Sequence, residues 1–129
     1  DLRSGCKNVY YERVGKIDEN FLGISRNKYL SALEAEGIPI FGGYVEPLYK
    51  LPCFQQKIAI GNNHFPFNLT KIDYSSLSLN IVESLHKKHM IEFHICSYQL
   101  DADEINLIID GFHKIHENID DLRTLDNSR

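Results

Sequence analysis

The sequence predicts an α+β fold: a small, mainly antiparallel sheet with helices packed chiefly on one face. Three observations carry this expectation. Strand-like segments are few and short. They alternate with helices whose apolar residues recur every three or four positions. Those helices are polar on the other side, so each buries one stripe and leaves one wet. A chain of 129 residues suits one domain, taken as residues 1–129.

The first element is "KNVYYERVGKI" (7–17), rich in valine and tyrosine. Val9 and Tyr11 alternate with Tyr10, Glu12 and Val14, so it reads as a strand. "DENFLG" then reads as a turn. In "SRNKYLSALEAEG", Ser25 is a suitable N-cap, Tyr29, Leu30 and Leu33 form a stripe, and Gly37 sits where a helix stops. Ile38, Pro39 and Ile40 follow as a short extended piece.

Residues 41–77 show no sustained period of 2 or 3.6, and loops of that length are uncommon in compact domains. This one carries Tyr44, Leu48, Tyr49, Leu51, Phe54, Phe65, Phe67 and Tyr74. That is more apolar surface than a free loop exposes. Regular structure resumes at "SLNIVESLHKKH", a helix that Ser78 can cap. "MIEFHICSYQL" reads as a strand with Ile91, Phe93 and Ile95 on one side and Glu92, His94 and Cys96 on the other. The last helix opens with Asp101 and Glu104 spaced as a capping box. Leu107, Ile108, Phe112, Ile115, Ile119 and Leu122 make its stripe. Gly111 inside it calls for a close contact with the sheet. The tail "RTLDNSR" is expected to fray.

A formal charge of −4 argues against nucleic acid as a partner. No run approaches the length needed to span a bilayer, so no membrane partner is expected. The first residues hold neither a signal-peptide apolar region nor an initiator methionine, so the chain reads as a piece of something longer. Cys6, Cys53 and Cys96 are odd in number and widely spaced. They read as free thiols of a cytoplasmic protein, buried as small apolar groups.

Six histidines raise a metal question. His86 and His89, and His113 and His116, share ligand spacing on a helix, but no recognised ligand pattern surrounds them. They read as solvated, and no metal is expected. His94 either holds a substrate oxygen in a cleft or is a satisfied, partly buried imidazole. Gly42 and Gly43 lack the spacing of a phosphate loop and fit a tight turn instead. No catalytic set is visible.

The stretch "SRNKYLSALEAEGIPIFGGYVEPLYKLPCF" resembles the small-domain signature of the DegT/StrS family of sugar aminotransferases. In that family a helix passes through L-x-x-x-G-I-P into a G-Y-x-x-P-L-Y/H-x-x-P-x-F loop. Gly37, Ile38, Pro39, Gly43, Tyr44, Pro47, Leu48, Tyr49, Pro52 and Phe54 fall on it. "LNIVESLHKKHMIEF" is similar to the family's C-P-V-A-E-x-L-H-x-x-x-L-I-x-F segment, keeping Glu83, Leu85, His86, Ile91 and Phe93. Leu79 and Asn80 replace its Cys-Pro. "EINLIIDGFHKIHENIDDL" resembles the closing helix.

The resemblance implies the small domain of a fold type I enzyme dependent on pyridoxal phosphate. Such an enzyme, usually a homodimer, moves an amino group from glutamate or glutamine to a keto sugar or ketocyclitol, often nucleotide-linked. Its cofactor-binding and catalytic residues would lie in a missing N-terminal large domain. This chain alone would be inactive, bind no cofactor and supply a wall of the active site. The loop would face the large domain. Tyr44 and Tyr49 are then the first candidates for substrate contact, followed by His94 and Glu46. Each also has an ordinary reading as a packing or surface residue. The alternative is a stand-alone interaction module that binds a partner through the aromatic loop.

Overall fold

The computed structural model describes residues 3–126. It is an α+β fold around a three-stranded antiparallel sheet. Strand β1 is Arg13–Lys16, β2 is Ile40–Gly42 and β3 is Met90–Phe93, in the order β1-β3-β2. The central strand therefore comes last in sequence. Its register pairs Val14 and Phe41 with Glu92, and Gly15 and Gly42 with Ile91.

Strand alternation assigns the faces. Ile40, Ile91 and Phe93 turn toward a core built with Tyr29, Leu30 and Leu33 of helix α2 (Arg26–Ala35) and Ile115 of helix α5 (Ala102–Glu117). Leu33 is fully buried. The opposite face carries Val14, Phe41 and Glu92. Val14 and Phe41 are about half exposed there.

Local chemistry sets the helix ends. Ser25 Oγ accepts from the Lys28 amide, and Gly37 leaves α2 with a φ of 82°. The Asp101–Glu104 box is present, with both bonds at 2.9 Å. Gly111 of α5 meets the α2–β2 connection: a Cβ there would stand 2.7 Å from Ile38 Cδ1.

Several expectations are corrected. The strand over 7–17 shrinks to Arg13–Lys16 because β3 offers only four partners. The supposed turn at 18–23 is helix α1 (Glu19–Leu22), capped by Asp18 and closed by Gly23. Strand β3 stops at Phe93, and a 3-10 turn follows at His94–Ser97. Pro39 lies just beyond the Ile40–Phe93 pair and has no amide hydrogen to continue the ladder. Helix α4 (Asn80–Ser84) begins without a side-chain cap, since the Ser78 hydroxyl turns to Asn80 Oδ1. It then widens into a π turn at Leu85–His89. The last helix breaks at Asn118, whose side chain donates to the Lys114 carbonyl at 2.7 Å. Helix α6 (Ile119–Asp126) continues through most of the expected tail, and residues 127–129 lie outside the described residues. Arg123 of α6 donates to the Leu22 carbonyl at 2.8 Å. All three cysteines are exposed rather than buried, because each sits in a segment that turns away from the core.

The irregular stretch is held by its own side chains. Helix α3 (Pro52–Gln55) places Phe54 against Phe67 and Tyr74, and the three rings pack edge to face with centroids 5.4–5.8 Å apart. Gln55 links the Tyr49 and Tyr74 carbonyls.

Buried Arg26 ties these parts together. Its guanidinium donates to the His86 and Met90 carbonyls, at the π turn and the start of β3, and to Asn27 Oδ1. Replacing Arg26 with Ala leaves both carbonyls without that donor. The expected loss is about 2–3 kcal/mol, read as a lower urea midpoint at unchanged m-value.

Candidate functional site

The open face of the sheet gathers polar groups at its centre. Glu92 projects there from β3, and Glu12 and His94 stand one step beyond the Arg13–Phe93 pair. The three side chains converge on the same side. One donor atom from each lies within 4.8 Å of the others. His94 Nε2 is 3.5 Å from Glu12 Oε1. The Phe41 ring lies against the His94 imidazole with centroids 4.6 Å apart.

Beside this cluster is a pocket of about 320 Å³ lined by Tyr11, Glu12, Val14, Tyr44, Met90 and Glu92. The Tyr11 and Tyr44 hydroxyls are 3.2 Å apart at its rim. That bond and the nearby carboxylates hold the Tyr44 phenol above its ordinary pKa, so it stays neutral and able to donate. Glu92 is only 2% exposed. Burial, then the Glu12 charge, pushes its pKa up. Glu12 Oε2 and Glu92 Oε1 are buried and accept no hydrogen bond.

The four residues expected to touch substrate separate. His94 belongs to the open-face cluster, and Tyr44 lines the pocket beside it. Tyr49 does not join them. It is 7% exposed, and its hydroxyl donates to Glu83 Oε1 at 2.5 Å. Its one donor is therefore taken by the protein. Glu46 is exposed on the loop near Lys50. Sequence reasoning missed Glu12, Glu92 and Tyr11 as site residues. Alternation had put Glu92 with His94, but only the strand order shows that Glu12 lies beside them.

The loop carries a second polar cluster. Glu83 receives the Tyr49 hydroxyl and pairs with Lys50 at 3.0 Å and Lys87 at 3.7 Å. Gly43, with φ of 68°, packs so closely on the π turn that a Cβ would stand 2.8 Å from the His86 carbonyl oxygen. Gly42 faces the core side, 2.7 Å from Leu30 Cδ1 on the same measure. The glycine pair thus makes a tight turn with close backbone approach.

No family model, no curated protein and no solved structure matches this chain. No helix of the described residues is long and apolar enough to cross a membrane.

The second cluster yields an acid-stability prediction. The Tyr49 hydroxyl and then the Lys50 ammonium hold Glu83 at about 2, against an ordinary 4.5. Its contribution is full above 4.5 and is lost as pH falls toward 2. Urea midpoints followed down the acid limb should therefore drop in the wild type over that window. Glu83→Gln should be less stable at neutral pH and show a flatter limb. An equally steep limb in the variant would assign the acid sensitivity elsewhere.

Proposed function

We propose that this chain is the C-terminal lobe of a sugar aminotransferase of the DegT/StrS type, forming one wall of an active site completed by a larger lobe. One observation carries the reading: the apolar surface left open along the loop and the helix after it. Leu48, Ile58, Ile60, Phe65, Leu69, Ile72 and Ile81 are all about half exposed or more, with Ile60 at 79% and Ile81 at 78%. Val9, Phe21 and Leu107 are also exposed, but seven such residues between Leu48 and Ile81 support a stretch that another body covers.

The motif residues behind the resemblance also support it. Tyr49 and Glu83 come from two separate motif segments and join in one hydrogen bond. Gly43 and His86 likewise come from both segments, and their backbones pack so closely that a Cβ on Gly43 would stand 2.8 Å from the His86 carbonyl oxygen. These residue types have a common structural reason to occur together.

The pyridoxal phosphate of such an enzyme does not fit this chain. Its phosphate would face the Glu12 and Glu92 carboxylates in the open-face pocket. Lys50, the lysine within the first motif, is already paired with Glu83. Cofactor and covalent chemistry therefore belong to the other lobe in this reading. Tyr44, with an exposed phenol beside a pocket, is the side chain of this chain placed to donate to a sugar oxygen.

The test begins with the coding sequence upstream of Asp1. A long open frame for an α/β lobe is expected, and the joined protein should move an amino group from glutamate or glutamine to a keto sugar. The isolated chain mixed with pyridoxal phosphate should retain no visible absorbance after gel filtration. Tyr44→Phe in the joined protein should raise KM for the keto sugar about fivefold, the worth of one hydrogen bond, with the donor half-reaction unchanged. A start codon immediately before Asp1, with no such lobe encoded, would favour a stand-alone interaction module instead.

A further inference from the structure

We propose that Glu12, Glu92 and His94 form a binding site for a divalent transition-metal cation of the zinc class, on the open face of the sheet. The inference stands apart from the aminotransferase reading and uses none of it.

Two carboxylates meet on a sheet face where Glu92 is almost wholly removed from water. A buried carboxylate is tolerated when it is paired or bound to a metal. Glu12 Oε1 has the His94 imidazole nearby at 3.5 Å, whereas Glu12 Oε2 and Glu92 Oε1 are buried with nothing to accept. A divalent cation neutralises both carboxylates, gives the orphaned oxygens a partner and takes the neutral imidazole as nitrogen donor.

Geometry agrees. Zinc ligands lie about 2.0–2.2 Å from the ion, so neighbouring donors in a tetrahedral set stand ~3.4 Å apart. Glu12 and His94 are already at 3.5 Å, and the whole set lies within 4.8 Å. Small side-chain rotations close the remainder. Two carboxylates and one imidazole suit zinc or manganese better than magnesium or calcium, which take oxygen alone. The His94 side chain is 40% exposed, which gives the ion a way in. The Phe41 ring packed on the imidazole restrains its orientation. Three protein ligands leave a coordination position open, the pattern of zinc sites that act on a bound water or substrate oxygen. The adjoining pocket, with the Tyr11 and Tyr44 hydroxyls at its rim, is where such a group would sit.

The experiment uses the full chain, freed of metal by chelation. Zinc titrated calorimetrically should bind one to one, with magnesium giving no comparable heat. Zinc should also raise Tm progressively with its concentration, as a ligand of the folded state does. Glu92→Gln and His94→Ala should each weaken zinc binding at least about tenfold. Glu92→Gln should raise Tm of the metal-free chain, because the buried charge is gone. That result shows the variant is folded while its metal response is lost. His113→Ala, on the exposed face of α5, should leave binding unchanged. Cobalt should give a visible spectrum without thiolate charge-transfer bands. Zinc uptake that survives Glu92→Gln, or that disappears on alkylating the exposed cysteines, would overturn the site. So would the absence of any uptake in the wild type.

Discussion

One buried guanidinium sets the frame on which the open sheet face depends. Arg26 lies in the first turn of α2, yet its side chain reaches the π turn and the start of β3, sixty and sixty-four positions later. Arg26 donates to the His86 carbonyl within the π turn and joins the Gly43 amide at the Met90 carbonyl. Its charge is costly to bury, and desolvation lowers its pKa, but several charge-assisted bonds hold it there. The strand that leaves this clamp carries Glu92 two residues on, and the 3-10 turn that follows it opens with His94. Gly42 must lack a side chain for Arg26 to pass, since a Cβ would stand 2.8 Å from its Nε. Helix, turn, glycine and strand therefore form one mechanical unit.

The legible parts of the fold were those governed by short-range chemistry. Ser25, Gly37 and the Asp101–Glu104 pair act on backbone groups a few residues away, so their spacing was enough to place helix ends. Strand lengths were not legible in this way. Residues 7–12 have the composition of a strand, but pairing ends where β3 runs out of partners, and β3 ends where Pro39 fails to donate. Those limits belong to neighbours in space. Helix α1 escaped notice because Asp18 and Gly23 resemble turn residues as much as caps. The cysteines misled because the type is commonly buried, whereas these three lie in segments that never reach the core.

The candidate site was half visible for the same reason. Tyr44 and His94 drew attention as individual residues with useful chemistry. Glu12 stood out only as one residue of an alternating strand, and its meaning comes from lying beside residues eighty positions away. Tyr49 shows the opposite case. Its place in an aromatic loop made it look available, yet burial and Glu83 turn it into a brace that fixes the loop against α4. Sequence type indicated what these phenols can do; packing decided which of them is free to do it.

The tie between Arg123 and the Leu22 carbonyl spans 101 positions. During synthesis, α1 leaves the ribosome long before the side chain that latches it. Until that arginine emerges, the short helix is held by its own caps, the Arg26 amide donating to Glu19 Oε1 and its contact with the growing core, and closure over such a distance adds to the entropic barrier of folding. The order of translation thus makes the first helix one of the last parts of this molecule to be locked down.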